Sequence, residues 1–251
     1  MVEKWDVTIP ELTGDQPRRC YVYLPGDYEK YPARTYPVMY MFDGHNVFFD
    51  SDATYGKSWG MASYMDRRRE QMIIVAVECN HEGNGRLEEY SPFDFENDTL
   101  GPIQGKGQVY MDWLVNTLKP YIDSHYRTKP QREHTLICGS SMGGLMALFA
   151  LCKYNYVFQR AAALSPSLWI DPVASKAMIL TGGIQNDSCL YMDYGSLEIY
   201  NHADNVSVLM TACQCLLEKK VNLTFRIVPG GTHCEASWER QIPIFMRCLE
   251  G

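Results

Sequence analysis

Residues 135–152 read TLICGSSMGGLMALFALC, and the order of residue types in this stretch decides the fold. Its first four residues are a short apolar run, which predicts a strand buried on both faces. Leu145–Leu151 is apolar all round, which predicts a buried helix. Between them, Gly139, Ser141 and Gly143 have the spacing G-x-S-x-G. The stretch therefore predicts a strand, a sharp turn that carries a serine, and a helix.

Ser141 is the predicted nucleophile. A tight strand-to-helix turn strains the serine backbone and crowds the positions two before and two after it, so that only small residues fit there. Gly139 and Gly143 meet this condition, whereas Ser140 has larger residues at the same positions. Because roughly one chain in ten of this length contains the motif by chance, a purely structural glycine-rich turn is the alternative. The strand before it and the helix after it favour the nucleophile.

Strands and helices alternate along most of the chain. The predicted strands are Trp5–Ile9, Arg18–Leu24, Pro37–Phe42, Met72–Val77, Thr135–Cys138, Ala161–Leu164, Leu190–Met192 and Leu223–Val228. The predicted helices include Tyr110–Ile122, Val206–Leu217 and Ala236–Leu249, the last with a kink at Pro243. This order predicts an α/β fold, in which a mostly parallel twisted sheet has helices on both faces and an antiparallel N-terminal edge. The length of 251 residues fits a single domain, residues 1–251.

Charge and composition exclude several functions. A formal net charge of −7 disfavours nucleic acid and anionic membranes as partners, since both require a basic surface. Residues 1–10 lack the apolar segment of a signal peptide, and no stretch approaches the ~18 apolar residues of a membrane span. The nine cysteines are odd in number, which favours a reduced, cytoplasmic protein over a disulfide framework. No cysteine or histidine spacing is typical of a metal site, so neither a metal nor a cofactor is expected.

His233 is the predicted general base. A serine hydroxyl is a weak nucleophile until a base removes its proton. In the α/β-hydrolase fold the residues follow in the order serine, acid, histidine, and His233 follows Ser141 in a glycine-rich loop directly after the strand Leu223–Val228. His202 also follows the serine, but it falls at the start of a predicted helix. A solvated loop histidine is the alternative interpretation of His233.

The acid that orients this histidine has three candidates after the strand Leu190–Met192. Asp193 is still at the strand end, and Asp204 already belongs to the next helix. Glu198 lies in the loop between them, so it is the first choice. Its role would be to select the tautomer of the His233 ring and to stabilise the imidazolium.

The predicted oxyanion hole consists of two backbone N–H groups. The first belongs to Met142, the residue after the nucleophile, and the second to His45, in the loop after the strand Pro37–Phe42. A plain β-turn is the alternative at this loop.

Three aromatic residues near the motif loops are candidates for substrate binding: Phe48, Trp59 and Trp169. Such rings can stack on a sugar or pack against an aromatic acyl group, but ordinary core packing explains them equally well.

Five segments of the sequence resemble the putative-esterase family of α/β hydrolases, which includes feruloyl, acetylxylan and enterochelin esterases (carbohydrate esterase family 1). They are MYMFDGHNVF (39–48), REHTLICGSSMGGLMALFALCKY (132–154), AAALSPSLW (161–169), YGSLE (194–198) and GGTHCEASW (230–238). The resemblance implies an α/β-hydrolase fold with Ser141, Glu198 and His233 as the catalytic triad. Cys234 stands where family members commonly have asparagine.

These residues predict a serine carboxylesterase that acts through an acyl-enzyme intermediate. The expected substrate is an acylated carbohydrate or a small acyl or aromatic ester. The alternatives are an acyltransferase that uses the same triad and an esterase of siderophore trilactones, although the charge of −7 disfavours an anionic siderophore. A non-catalytic binding module is disfavoured because all three triad residue types are present. The oligomeric state stays open.

Overall fold

The computed structural model describes residues 1–97, 99–198 and 202–250. Its strands, numbered in chain order, are β1 Val2–Val7, β2 Arg18–Tyr23, β3 Val38–Met41, β4 Ile73–Val77, β5 Phe95–Asn97, β6 Gly101–Ile103, β7 Thr135–Ser140, β8 Arg160–Leu164, β9 Cys189–Gly195 and β10 Asn222–Val228. Its α-helices are α1 Pro10–Thr13, α2 Met61–Arg68, α3 Gly85–Glu89, α4 Gly107–Trp113, α5 Lys119–His125, α6 Met142–Lys153, α7 Pro172–Thr181, α8 His202–Glu218, α9 Glu235–Glu239 and α10 Ile242–Glu250.

Within these described ranges, eight strands form one sheet in the order β1-β2-β4-β3-β7-β8-β9-β10. The strand β2 pairs antiparallel with both β1 and β4, and the neighbours from β4 to β10 pair in parallel. The predicted mostly parallel sheet with an antiparallel N-terminal edge is confirmed. The carboxyl ends of the parallel strands therefore open on the same side, where ligand sites of such sheets lie.

The sheet separates two apolar layers. Successive residues of a central strand alternate between them: Val38 and Tyr40 belong to one cluster, and Met39 and Met41 to the other. Residues of α6 pack into the first cluster, and residues of α10 pack into the second. Because both faces are covered, the central strands are apolar at every position rather than at every second one. Helices on both faces, as predicted, are confirmed.

Several differences from the sequence prediction involve proline. The first strand ends at Val7 rather than Ile9, because Pro10 starts the short helix α1. The predicted helix Ala236–Leu249 is two helices, α9 and α10, and Pro243 lies in the first turn of the second, where its missing N–H is tolerated. The helix α7 was not predicted, although the sequence contains a helix-start signal there: the Asp171 carboxylate caps the helix, and Pro172 is its first residue.

The predicted helix Tyr110–Ile122 is longer and less regular than expected. It consists of α4, a π-helical turn at Leu114–Leu118, and α5, which continues to His125. Pro120 lies in the first turn of α5 and has no N–H to donate to the preceding turn. Single π-turns of this kind occur mostly inside α-helices, where they change the hydrogen-bond pattern locally.

Candidate active site

A cavity of about 380 Å³ opens at the carboxyl ends of the parallel strands. It brings together four residues singled out in the sequence, because each follows a strand of the sheet or lies on a loop beside it. These residues are His45, Trp59, Ser141 and His233. The same cavity is also lined by polar side chains that sequence reasoning did not select, among them Arg86.

Ser141 occupies a strained turn between β7 and α6. Its backbone angles are φ 58° and ψ −124°, in a region that residues with a side chain rarely adopt. The flanking glycines explain how the turn closes: a Cβ on Gly139 would lie 2.4 Å from the carbonyl oxygen of Gly143. A Cβ on Gly143 would in turn lie 2.9 Å from Cβ of Phe42, which directly follows the neighbouring strand β3. The G-x-S-x-G spacing therefore has the steric origin inferred from the sequence.

The Ser141 hydroxyl contacts another serine in this structure. Its Oγ lies 3.4 Å from Oγ of Ser167, and among the described residues it has no hydrogen bond to His233. Catalytic hydrogen bonds are often long in free enzymes and tighten when substrate binds. Ser141 and His233 nonetheless line the same cavity.

His233 and Glu198 are joined by a hydrogen bond of 2.8 Å between Nδ1 of the ring and Oε2 of the carboxylate. His233 follows β10 and Glu198 follows the parallel strand β9. Two glycines, Gly195 at the end of β9 and Gly231 after β10, allow the two chain segments to approach closely. A Cβ on Gly195 would lie 2.5 Å from the carbonyl oxygen of Gly231, so neither loop tolerates a larger residue at this contact. Acid and histidine thus meet because their loops lie in direct backbone contact.

Glu198 is buried, and both oxygens of its carboxylate form hydrogen bonds. Its Oε1 accepts hydrogen bonds from the Ser165 hydroxyl and from the Gly195 N–H, and Ser165 Oγ accepts one from the Trp238 indole. Burial alone would raise the pKa of Glu198, but the hydrogen bonds from His233, Ser165 and Gly195 hold this pKa below its ordinary value. The carboxylate therefore stays ionised beside the ring.

Neither alternative acid reaches His233. Asp193 lies inside β9 and accepts hydrogen bonds from the Tyr191 hydroxyl and the Ser165 N–H. Burial raises the pKa of Asp193 to about 7. Asp204 is exposed on α8. Of the three candidates, the structure brings only Glu198 to the histidine.

The two predicted oxyanion donors are unpaired within the described chain. The backbone N–H groups of His45 and Met142 have no acceptor among the described residues, which is rare for buried amides. Met142 begins α6, so its N–H is one of the unpaired donors at a helix start. His45 lies in a buried 3₁₀ turn, Gly44–Asn46. Both amides are therefore free to bind an anion.

An ion pair supports the His45 loop. Asp43 has φ 55° and accepts two hydrogen bonds from the Arg86 guanidinium, at 2.7 and 2.8 Å. Burial alone would raise the pKa of Asp43, but Arg86 holds it below its ordinary value. A Cβ on Gly44 would lie 2.7 Å from the backbone of Ala76 in β4, so this position requires glycine. The loop is fixed by its backbone contacts and by one bidentate ion pair.

The three predicted aromatic residues occupy different places. Trp59 lines the cavity with Ser141, although its buried ring also packs on Trp238, with ring centres 6.0 Å apart. Trp169 is 51% exposed and lines a second cavity on the Glu198 side of His233. Phe48 lines neither cavity: it is buried in the apolar core, where it packs on Tyr21. Core packing is thus the structural role of Phe48.

The second cavity is also about 380 Å³ in volume and is mostly apolar at its wall. It is lined by Ser165, Trp169, Tyr194, Leu197, Glu198, Asn205, Thr232 and His233. His233 therefore stands between a cavity of mixed polarity and a mostly apolar one.

Two kinds of site residue were missed in the sequence. Ser165 donates a hydrogen bond to Glu198 and accepts one from the Trp238 indole. Ser165 directly follows β8, where the carboxyl-end rule could have found it. The other kind is a cluster of His45, Cys79 and His81, in which one possible ligand atom from each residue lies within 4.8 Å of the other two. Sequence spacing does not reveal this cluster, because its members follow two different strands, β3 and β4, that pair in parallel.

Burial shifts the pKa values of two residues in this cluster. It lowers the pKa of His45 and raises the pKa of the Cys79 thiol. At neutral pH both side chains are therefore uncharged when no ion is bound.

The sheet order, the strained turn after β7 and the cavity at the strand ends define the α/β-hydrolase fold. The chain belongs to the putative-esterase family, whose family model matches residues 13–243. The solved structure of a ferulic acid esterase is similar over 100% of this chain and 96% of that one, with a TM-score of 0.72 and 18% identity. At this identity the similarity shows the fold alone.

The curated proteins related in sequence include the following two. YbbA of Bacillus subtilis, an uncharacterized protein, is 24% identical over 159 residues, which are 62% of this chain and 60% of the relative. The siderophore triacetylfusarinine C esterase of Aspergillus fumigatus is 26% identical over 170 residues, which are 64% of this chain and 56% of the relative. The chain thus spans less than two thirds of either protein. None of the helices in the described ranges has the length and apolar character needed to cross a bilayer.

The raised pKa of Asp193 predicts a pH-dependent effect of Asp193→Asn on stability. Between about pH 4 and pH 7 the folded protein holds a proton on Asp193 that the unfolded chain has lost, so this contribution to stability disappears as pH rises through about 7. The variant lacks this titration. The difference in free energy of unfolding, variant minus wild type, should therefore become more positive by about 1 kcal/mol or more between about pH 5 and pH 8. Urea unfolding at the two pH values measures this difference. Asp204→Asn, at an exposed site, is the control, and an equal offset at both pH values would contradict the prediction.

Proposed function

We propose that this protein is a serine carboxylesterase that works through an acyl-enzyme intermediate. The observation that carries the proposal is that one cavity contains both a serine in a strained turn and a histidine held by a buried carboxylate. Ser141 has φ 58°, and His233 is bonded to Glu198 at 2.8 Å. Membership of an esterase family supports the same chemistry.

In this mechanism Ser141 Oγ attacks the ester carbonyl carbon while Nε2 of His233 takes its proton. The N–H groups of Met142 and His45 stabilise the negative charge that develops on the carbonyl oxygen. His233 then gives the proton to the leaving alcohol, and a water molecule releases the acyl group by the same route. The Ser141 hydroxyl has to turn from Ser167 towards His233 before the first step.

The two cavities beside His233 suggest which esters fit. One side offers polar groups such as Arg86 and Asn80, and the other offers the exposed faces of Trp169 and Leu197. We infer an ester with one polar half and one apolar or aromatic half, the class that contains small aromatic esters and acylated carbohydrates. The apolar half would pack on Trp169, since aromatic side chains bind rings and acyl chains through their large faces.

Hydrolysis of a siderophore ester is a second candidate, favoured by the related siderophore triacetylfusarinine C esterase. The charge of Arg86 is already balanced by its bidentate ion pair with Asp43, so Arg86 adds little net positive charge for an anionic iron chelate. Acyl transfer with the same residues remains the other alternative. Kinetics on p-nitrophenyl acetate, butyrate and octanoate, methyl ferulate, acetylated xylan and a catechol trilactone would rank these substrates.

A reduced compartment such as the cytoplasm is part of the proposal. Seven of the nine cysteines are buried. They pack as small apolar core residues, as free cysteines do in reduced proteins.

Ser141→Ala should abolish esterase activity without unfolding the protein. Loss of a triad nucleophile lowers kcat by about 10⁴-fold or more, because the remaining groups cannot form the acyl-enzyme. The measurement is kcat/KM for p-nitrophenyl acetate together with thermal unfolding. Ser140→Ala is the matched control, since Ser140 lines the same cavity from the end of β7. A Ser141→Ala variant that keeps more than about a tenth of the wild-type rate would refute the assignment.

Glu198→Gln should slow hydrolysis by about 10²- to 10⁴-fold. The amide is nearly isosteric, but it carries no charge to stabilise the imidazolium and can select the wrong tautomer of His233. The readout is kcat at saturating p-nitrophenyl acetate. Asp193→Asn and Asp204→Asn should each keep at least about a third of the rate, as changes away from the chemistry usually do. Equal losses in Glu198→Gln and Asp193→Asn would speak against a specific role for Glu198.

Trp169→Ala should weaken the binding of esters with an aromatic half. Loss of the ring face should raise KM for methyl ferulate by about 3- to 10-fold and leave methyl acetate nearly unaffected. Tyr156→Ala removes an exposed aromatic ring (64% exposed) that lies outside both cavities, and it serves as the control. The same loss on both substrates would contradict an aromatic subsite.

A further inference from the structure

Three side chains with metal-binding atoms meet on one wall of the candidate active site. His45 follows β3, and Cys79 and His81 follow β4; because these strands are parallel neighbours, their carboxyl ends lie side by side. One possible ligand atom from each residue lies within 4.8 Å of the other two, and Cys79 Sγ is 3.9 Å from Nδ1 of His81. All three residues line the cavity that contains Ser141.

The two ring nitrogens of His45 differ in their contacts. Its Nε2 lies 3.0 Å from the Thr54 hydroxyl, while its Nδ1 is buried and has no hydrogen-bond partner. A buried ring nitrogen without a partner is uncommon, since buried polar atoms are nearly always satisfied. Metal-bound histidines typically use one ring nitrogen for the ion and the other for such an outer hydrogen bond.

Two imidazoles and one thiol form a donor set suited to zinc, which binds histidine nitrogen and cysteine sulfur at about 2.0–2.3 Å. The ligand atoms, up to 4.8 Å apart, have to approach one another by about an ångström to share an ion with these bond lengths. His81 is exposed, so its ring can move, whereas His45 and Cys79 are held in the structure by burial. Three protein ligands leave the fourth position of a tetrahedral ion open to the cavity.

We propose that His45, Cys79 and His81 form a binding site for Zn²⁺ and that occupation of this site reversibly inhibits the esterase. An ion held there would lie against the substrate cavity. It would also tie the side chain of His45, whose backbone N–H is the proposed oxyanion donor, to the loop after β4. Its open coordination position would attract water or a substrate oxygen away from Ser141. The inhibition rests on the proposed esterase function, but the binding of metal does not.

Binding is tested with Co²⁺ as a spectroscopic substitute for Zn²⁺ on the full chain kept reduced. Wild type should bind one equivalent and show a thiolate-to-cobalt charge-transfer band that Zn²⁺ displaces. Cys79→Ala should lose the band, and His81→Ala should bind at least about tenfold more weakly. His134→Ala, a histidine outside the cavity, is the matched control and should behave as wild type. Because His81 is exposed, His81→Ala decides the matter even if Cys79→Ala fails to fold.

Inhibition is tested by hydrolysis of p-nitrophenyl acetate with increasing Zn²⁺, each variant being compared with its own zinc-free rate. Wild type and His134→Ala should lose activity and regain it fully with EDTA, and His81→Ala should need at least about tenfold more zinc for half inhibition.

A wild-type protein that shows no cobalt band, or a Cys79→Ala variant that keeps the band, would overturn the proposed site. Equal inhibition of all variants would overturn its regulatory role and point to zinc on His233. A protein that binds cobalt as expected but hydrolyses no ester would refute the esterase function and leave the metal site standing.

Discussion

The turn between β7 and α6 closes only because Gly139 and Gly143 lie in backbone contact, and the rest of the site depends on this closure. A side chain on Gly139 would lie 2.4 Å from the carbonyl oxygen of Gly143. The contact holds Ser141 at φ 58° and raises its hydroxyl into the cavity. The helix α6 begins at Met142, directly after the serine, so the unpaired N–H of Met142 lies beside Ser141. One steric constraint thus positions both the candidate nucleophile and a candidate oxyanion donor.

A second glycine contact, between Gly195 and Gly231, brings acid and histidine together at the other side of the cavity. Two carboxylates lie near this point, and their surroundings shift their pKa values in opposite directions. Glu198 has three hydrogen-bond donors, which keep its pKa low, whereas burial raises the pKa of Asp193 to about 7. The ionised carboxylate is the one that contacts His233. Environment, rather than residue type, separates the two.

The proposed inhibition by zinc and the proposed catalysis use the same loop in different ways. The backbone N–H of His45 has no acceptor among the described residues, and its side chain has a buried nitrogen without a partner. The ion pair of Asp43 with Arg86 holds the start of this loop in place. An ion shared with Cys79 would add a new restraint at a point where the esterase mechanism needs correct geometry. Under these two proposals, zinc would change the activity although the catalytic steps themselves use only protein groups.

Local sequence determined the parts of this protein whose physical cause is local. Apolar runs predicted the central strands, and the spacing of Gly139 and Gly143 around Ser141 predicted the strained turn, because both effects act within a few residues. The tertiary structure decided which distant side chains meet. It placed Glu198 rather than Asp193 against His233, and it took Phe48 into the core, because these outcomes depend on strand order and packing. The metal-binding cluster stayed hidden in the sequence for the same reason, since its members are joined only by the pairing of β3 with β4.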